Sequence, residues 1–196
     1  VVRINLRDHG DTSHLNSGLF HSALIEEVIE LAQHLMTDGR SAPDHRRPCG
    51  LIGYSLGGNF ALRLARAIPE LTTLAICPAI DPYATMRQIE SSVIYRNYFI
   101  IKWRKLFREK QRHFPTLYDF GPAMKLSSVA SLTDYFIKYH SEFDDTESYC
   151  AAYDLSGSAM AGVNAHIVAA ADDPIIPAHF YERLPETITV DLIDRG

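Results

Sequence analysis

The sequence has little of what marks a disulfide scaffold, a membrane span or a nucleic-acid-binding protein. Only three of its 196 residues are cysteine, and their odd number and wide spacing argue against a disulfide framework or a cysteine metal site. No apolar run approaches the roughly 18 residues that cross a bilayer. The formal net charge of −5 is not the basic footprint of a nucleic-acid binder. We therefore expect a cytoplasmic protein with reduced thiols and no nucleic-acid partner.

Strand-like and helix-like segments alternate at both ends of the chain. Helical spacing appears in HSALIEEVIELAQHLMTDG and GGNFALRLARAIP, and a short helix is predicted in AHFYERL. Strands are predicted in VVRINL, CGLIGY, LTTLAICP, NAHIVAA and ITVDLI. Because the apolar runs are mostly continuous, they favour an α/β fold with a mostly parallel sheet that carries helices on both faces.

The alternation stops in the middle of the chain, where aromatic and charged residues dominate. We interpret residues 83–161 as a helical cap insertion over the site that the sheet presents. Residues 1–82 and 162–196 then form the two parts of one core domain.

Charge is segregated within this insertion, with a basic stretch over residues 87–112 and an acidic one over 134–154. One interpretation is two solvated helix faces. The alternative is weak contact of a basic amphipathic cap helix with a membrane surface, since Phe99, Trp103, Leu106 and Phe107 can share one apolar face.

The segment Gly53-Tyr54-Ser55-Leu56-Gly57 lies between a predicted strand and a predicted helix. Small residues on both sides of a serine allow the sharp turn that raises its hydroxyl above the sheet edge, as in the nucleophile elbow of α/β-hydrolases. The N–H of Leu56, at the helix start, would then face the oxyanion of a tetrahedral intermediate. We therefore predict that Ser55 is a nucleophile and that Gly53 and Gly57 form the elbow.

A serine nucleophile needs a histidine base and a carboxylate that orients it, in the chain order Ser, acid, His. Asp172 and Asp173 follow an apolar strand, where catalytic groups of such sheets are found. We prefer Asp173 because it is followed by one residue, two aliphatic residues and Pro177, which is the usual pattern; Asp172 remains the alternative.

The histidine should follow the next strand, ITVDLI, but only Asp194, Arg195 and Gly196 come after it. His179 lies too close to Asp173 along the chain, and His166 falls within a predicted strand. We interpret His9 as a turn residue near the rim of the site. The catalytic histidine is therefore not expected in this chain.

Five segments in this order resemble the YheT-like branch of the α/β-hydrolases: GYSLGGNFALRLA, LAICPAIDP, FPTLYDF, SLTDYFIKYHSEFDDTESYC and AADDPIIP. This branch of esterases is similar to plant embryogenesis-associated proteins and to animal abhydrolase-domain lipases. The resemblance implies a serine carboxylic ester hydrolase for short- to medium-chain acyl esters that uses no metal and no organic cofactor. Ser55 and Asp173 match its nucleophile and acid.

The resemblance also implies segments that this sequence does not contain. The family has a GGH segment after the last strand, and an HG loop that supplies a second oxyanion donor. We therefore expect this chain to be an internal fragment that is nearly inactive by itself. The alternatives are a noncatalytic binding or membrane-associated module on the same fold, and an acyltransferase that uses the same serine.

Overall fold

The computed structural model describes residues 1–38 and 50–196, which divide into two compact units. The helical unit comprises Val1–His21 and Met86–Ala152. The sheet unit comprises Ser22–Thr85 and Tyr153–Gly196. The predicted insertion limits, 83 and 161, stay a prediction.

A four-stranded parallel sheet forms the centre of the sheet unit. Its strands are adjacent in chain order, β1 (Gly50–Tyr54), β2 (Thr72–Ile76), β3 (Ala165–Ala170) and β4 (Ile188–Ile193). In register, Gly53 lies opposite Ala75, Ala75 opposite Ile167, and Ile167 opposite Val190. All four carboxyl ends therefore meet at one edge of the sheet.

One face of this sheet forms the core of the unit. Helix α2 (Leu56–Ala67) packs over β1 and β2, and α1 (Glu26–Asp38) packs against α2. Ala75 and Ile167 are fully buried on the covered face, whereas Ile52 and Tyr54 on the other face of β1 are 60% and 66% exposed. Within the described part of the sheet unit, α2 thus covers one face of β1, and the face that carries Ile52 and Tyr54 is exposed.

Aromatic packing holds the helical unit together. Its elements are most of α3 (Pro82–Ser91), α4 (Val93–His113), α5 (Val129–His140) and α6 (Thr146–Ala151). Phe107 of α4 stacks on Phe120 with ring centroids 4.3 Å apart, and Trp103 contacts Phe107 and Phe136 edge to face. No residue from Val1 to His21 or from Met86 to Ala152 lies in a strand.

The structure corrects two sequence expectations, and it shows which way one face of α4 points. VVRINL is not a strand, because an extended segment becomes one only when a neighbour bonds to it, and the described strands are the four above. AHFYERL forms a single 3₁₀ turn, Ala178–Tyr181. The face of α4 that carries Phe99, Trp103, Leu106 and Phe107 points inward, since Phe107 is buried and the others are half-buried.

In residues 1–38 and 50–196, every helix is either too short or too polar to cross a bilayer.

Candidate active site

Ser55 occupies a strained turn between β1 and α2. Its φ of 52° and ψ of −119° lie in a region that L residues rarely adopt. The neighbouring backbone holds it there: its N–H donates to Ile76 O at 2.9 Å, and its carbonyl accepts from Gly58 N at 2.9 Å and Ala79 N at 3.3 Å. Hydrogen bonds with β2, with α2 and with the segment that follows β2 therefore stabilise the strained conformation of Ser55.

Two glycines let the backbone approach this closely. A Cβ at Gly53 would lie 2.1 Å from Gly57 O and 2.8 Å from Ala61 Cβ, and one at Gly58 would lie 2.9 Å from Pro78 Cβ. A Cβ at Gly57 would meet no described atom within 4 Å beyond its chain neighbours and the backbone of its own helix. The steric requirement thus falls on Gly53 and Gly58, and the expectation that Gly57 must be small has no steric basis in the described residues.

The polar groups of the turn are left available. A serine that precedes a helix usually caps it by accepting a hydrogen bond from the first turn. Ser55 makes no such bond, and its side chain is exposed. Among the described hydrogen bonds, the N–H of Leu56 has no acceptor, as expected for the first residue of α2. An exposed hydroxyl thus stands beside an N–H donor that has no described acceptor, at a helix start.

The two candidate acids differ in their surroundings. Asp173 is half-buried and its Oδ1 accepts from Ile175 N at 2.8 Å and Ile176 N at 3.0 Å, so the loop after β3 fixes the carboxylate. Asp172 is exposed and accepts from Gly196 N at 3.1 Å. Of the two, Asp173 is therefore the oriented group at the carboxyl edge of the sheet.

Cys77 is a residue of this edge that sequence reasoning missed. It follows β2 with a φ of 42°, and its N–H donates to Val168 O at 2.8 Å. Burial raises the pKa of its thiol; the backbone of Ala170 opposes this, and the charge and hydrogen bonding of the nearby Asp173 carboxylate raise it further. The position was predictable, because Cys77 ends a strand that lies between those leading to Ser55 and Asp173.

Tyr181 packs beneath the same edge. Its buried hydroxyl donates to Pro78 O at 3.2 Å. Burial, then the charges of Cys77 and Asp173, raise the pKa of Tyr181. The phenol therefore remains protonated and serves as a fixed donor to the segment after β2.

No histidine of the described sheet unit is bonded to the acid or to the serine. His166 lies near the amino end of β3, and its Nε2 is 2.8 Å from Asp191 Oδ2. The four steps from His166 to Ala170 span about 13 Å of strand, which separates His166 from the carboxyl edge. His179 is exposed and packs edge to face on Phe180.

Two further histidines, His9 and His140, lie in the helical unit. His9 lies in a bend of the helical unit, where its Nδ1 is 2.8 Å from Arg7 O. His140 is packed among Tyr118, Phe120 and Tyr135, and burial lowers its pKa. Neither feature is that of a base poised beside a serine.

A sequence profile described as the Alpha/beta hydrolase family matches residues 1–196. The chain belongs to this family. The predicted α/β-hydrolase fold class is thereby confirmed, and the parallel sheet with its strand, elbow and helix agrees with it.

Several solved structures are similar to this family member at low sequence identity. The mouse alpha/beta hydrolase domain-containing protein 10 is 17% identical, with 84% of this chain and 58% of that chain covered and a TM-score of 0.38. A lipase-esterase related protein from Clostridium acetobutylicum is 13% identical, with 98% of this chain and 73% of that chain covered and a TM-score of 0.44. A monoacylglycerol lipase from Paleococcus ferrophilus is 15% identical, with 86% of this chain and 65% of that chain covered and a TM-score of 0.38. The chain thus spans less than two thirds of the mouse and Paleococcus proteins.

Proposed function

We propose that this chain carries the nucleophile and the acid of a serine carboxylic ester hydrolase that acts on short- to medium-chain acyl esters. The observation that carries the proposal is the strained Ser55, whose hydroxyl does not cap the helix that follows it. A serine with a structural role would use its hydroxyl in the turn, whereas a nucleophile must present it to a substrate.

The reaction has two halves. Ser55 Oγ attacks the acyl carbonyl carbon, its proton passes to a histidine, and the N–H of Leu56 donates to the oxyanion. The alcohol leaves with the proton from the histidine. Water then attacks the acyl-enzyme by the same route, which releases the acid and restores Ser55.

Asp173 orients the histidine in this scheme, and the histidine is supplied from beyond Gly196. The N–H of Gly196 donates to Asp172, so the segment that follows β4 runs beside the loop of Asp173. A residue a short distance further along the chain would be close to the Asp173 carboxylate.

Two further parts of the proposal rest on the sequence and the thiols. The five segments quoted above support the YheT-like subtype, and the free thiols of Cys77 and Cys150 support a cytoplasmic location.

Labelling with a fluorophosphonate probe tests the nucleophile. The protein is expressed with the residues that follow Gly196 in its gene, as the unaltered form and as Ser55→Ala, Asp173→Asn and Ser156→Ala. Ser156 is an exposed serine of the sheet unit with ordinary backbone angles, so it is the matched control.

We expect labelling that Ser55→Ala abolishes, Asp173→Asn slows by about 10⁴-fold and Ser156→Ala leaves unchanged. A folded protein that is not labelled, or whose labelling survives Ser55→Ala, would contradict the proposal and favour a noncatalytic binding module. Release of free acid rather than a transacylated alcohol from a labelled ester would distinguish hydrolysis from acyl transfer.

A further inference from the structure

Helix α4 of the helical unit carries an exposed stripe on the side opposite its buried residues. The stripe consists of Ile94, Tyr98, Ile101, Lys105, Arg108 and Arg112, at intervals of four and three residues that keep them on one helix face. We call this the outer stripe. Ile94, Tyr98 and Ile101 are 77%, 53% and 63% exposed, an unusual cluster for the surface of a helix.

The orientation of α4 is fixed by its other side. Phe107 is packed between Trp103 and Phe120, and the Lys110 ammonium is buried against the carbonyls of Asn16 and Gly18 at 2.8 and 2.9 Å. Because these contacts hold the inner face of α4, the helix cannot rotate to bury Ile94 and Ile101 without losing them.

The outer stripe is divided along the helix axis. Its first three members are apolar and span about 10 Å, while its last three are basic and extend over a similar length. Lys102 adds a positive charge where the apolar half meets the basic half, since its ammonium lies 5.2 Å from the centre of the Tyr98 ring. Arg112 is engaged by Glu109 at 2.8 Å, so Lys105 and Arg108 are the principal cations of the basic half.

This division argues against a second copy of the chain as the occupant. Two copies of α4 packed in parallel would place Lys105 and Arg108 opposite their own counterparts. Packed antiparallel along the whole stripe, they would place Ile94 opposite Arg112. Either arrangement pairs like charges or buries a charge against an apolar side chain, and both are unfavourable.

An apolar region with a negatively charged border fits both halves at once. We propose that the outer stripe docks the protein on a lipid bilayer that contains anionic headgroups. Ile94, Tyr98 and Ile101 enter the boundary between headgroups and acyl chains, while Lys105 and Arg108 remain at the level of the phosphates. This inference concerns binding alone and does not depend on the proposed hydrolysis.

Sedimentation of the protein with vesicles tests the docking. The vesicles are phosphatidylcholine alone or phosphatidylcholine with a minority of phosphatidylserine, each at low and at high salt. We expect binding to the anionic vesicles that falls at high salt, and little binding to phosphatidylcholine.

Variants locate the surface. The double variants Ile94→Ser/Ile101→Ser and Lys105→Glu/Arg108→Glu should each weaken binding by about tenfold. Leu117→Ser and Lys125→Glu are the matched controls, because Leu117 is 62% exposed and Lys125 is exposed, and both lie in the same unit outside α4. These controls should bind as the unaltered protein does.

Three outcomes would overturn the inference. The first is the absence of binding to anionic vesicles at low salt, which would leave a protein partner for the stripe. The second is binding that the two α4 variants do not reduce more than the controls. The third is dimerisation without lipid that Ile94→Ser/Ile101→Ser abolishes. Circular dichroism of each variant separates loss of binding from loss of fold.

Discussion

Each unit contains two residues other than glycine with a positive φ, and the two pairs are held in opposite ways. In the sheet unit, Ser55 and Cys77 have φ values of 52° and 42° and are held by the backbone of neighbouring elements. In the helical unit, Asp8 and Asp11 both have a φ of 63°, and one side chain, Lys110, holds their loop.

The difference lies in what happens to the side chains of the strained residues. Both carboxylate oxygens of Asp8 have structural partners: one faces Lys110, and the other accepts a hydrogen bond from Phe20 N at 2.8 Å. The Ser55 hydroxyl makes no bond to the helix it precedes. Strain alone is therefore a poor sign of function, and strain that leaves an exposed polar group unused is a better one.

Removal of the Lys110 ammonium should have the largest effect on stability. In Lys110→Met the Asp8 carboxylate and the carbonyls of Ser13, Asn16 and Gly18 lose a buried donor, which should lower the free energy of unfolding by about 3–5 kcal/mol. Urea unfolding followed by the fluorescence of Trp103, the single tryptophan, reports on the helical unit directly.

Lys105→Met is the control for this change, since Lys105 is exposed on the same helix and should alter stability by less than about 0.5 kcal/mol. Asp8→Asn combined with Lys110→Met should recover part of the loss, because the uncompensated charge is then gone. Equal stability of Lys110→Met and Lys105→Met would show that the backbone, and not the lysine, holds the loop.

Substitution of Gly53 should have the next largest effect and should act on the sheet unit. A Cβ there overlaps Gly57 O, so Gly53→Ala should lower the free energy of unfolding by about 3 kcal/mol. Gly57→Ala is the matched comparison within the same motif. It has free space and lies inside α2, so it should be neutral or stabilise the fold by about 0.5–1 kcal/mol.

Thermal unfolding followed by far-ultraviolet circular dichroism would measure both. If Gly57→Ala proved as damaging as Gly53→Ala, close backbone approach at Gly53 would not explain the elbow, and the described contacts would be an incomplete account of why a glycine follows the serine.

The sequence patterns were most informative where structure depends on local chemistry. GLIGY is a continuous run without charged residues and forms β1, and ITVDLI, which contains one charged residue, forms β4. The Gly-Tyr-Ser-Leu-Gly motif correctly implies a turn from strand to helix at Ser55. VVRINL has an equally good composition, but a strand needs a partner, and composition does not report whether one is present.

Sequence patterns could not predict which charged residues pair over long distances along the chain. Lysine is rarely fully buried, so nothing in the basic stretch distinguishes Lys110 from the exposed Lys105. Helical spacing correctly places Trp103 and Phe107 on one face, but it cannot state whether that face meets solvent or a core. Aromatic residues from distant segments, such as Phe120, decide this.

The smallest effect we predict concerns the chemistry of the second strained residue, Cys77. Burial raises the pKa of its thiol, and the Asp173 carboxylate raises it further through its charge and hydrogen bonding. In Asp173→Asn that contribution is lost, so the pKa falls, the thiolate fraction at mildly alkaline pH rises, and alkylation by iodoacetamide becomes several-fold faster. Mass spectrometry resolved by peptide separates Cys77 from the other two cysteines.

Asp172→Asn provides the control, because it removes the same charge from the adjacent, exposed position. It should leave the alkylation rate of Cys77 nearly unchanged. Equal acceleration by the two variants would mean that the thiol responds to the general charge of the loop. It would then no longer support Asp173 as the carboxylate that faces the edge of the sheet, and the choice between the two acids would have to rest on the backbone hydrogen bonds of Asp173 alone.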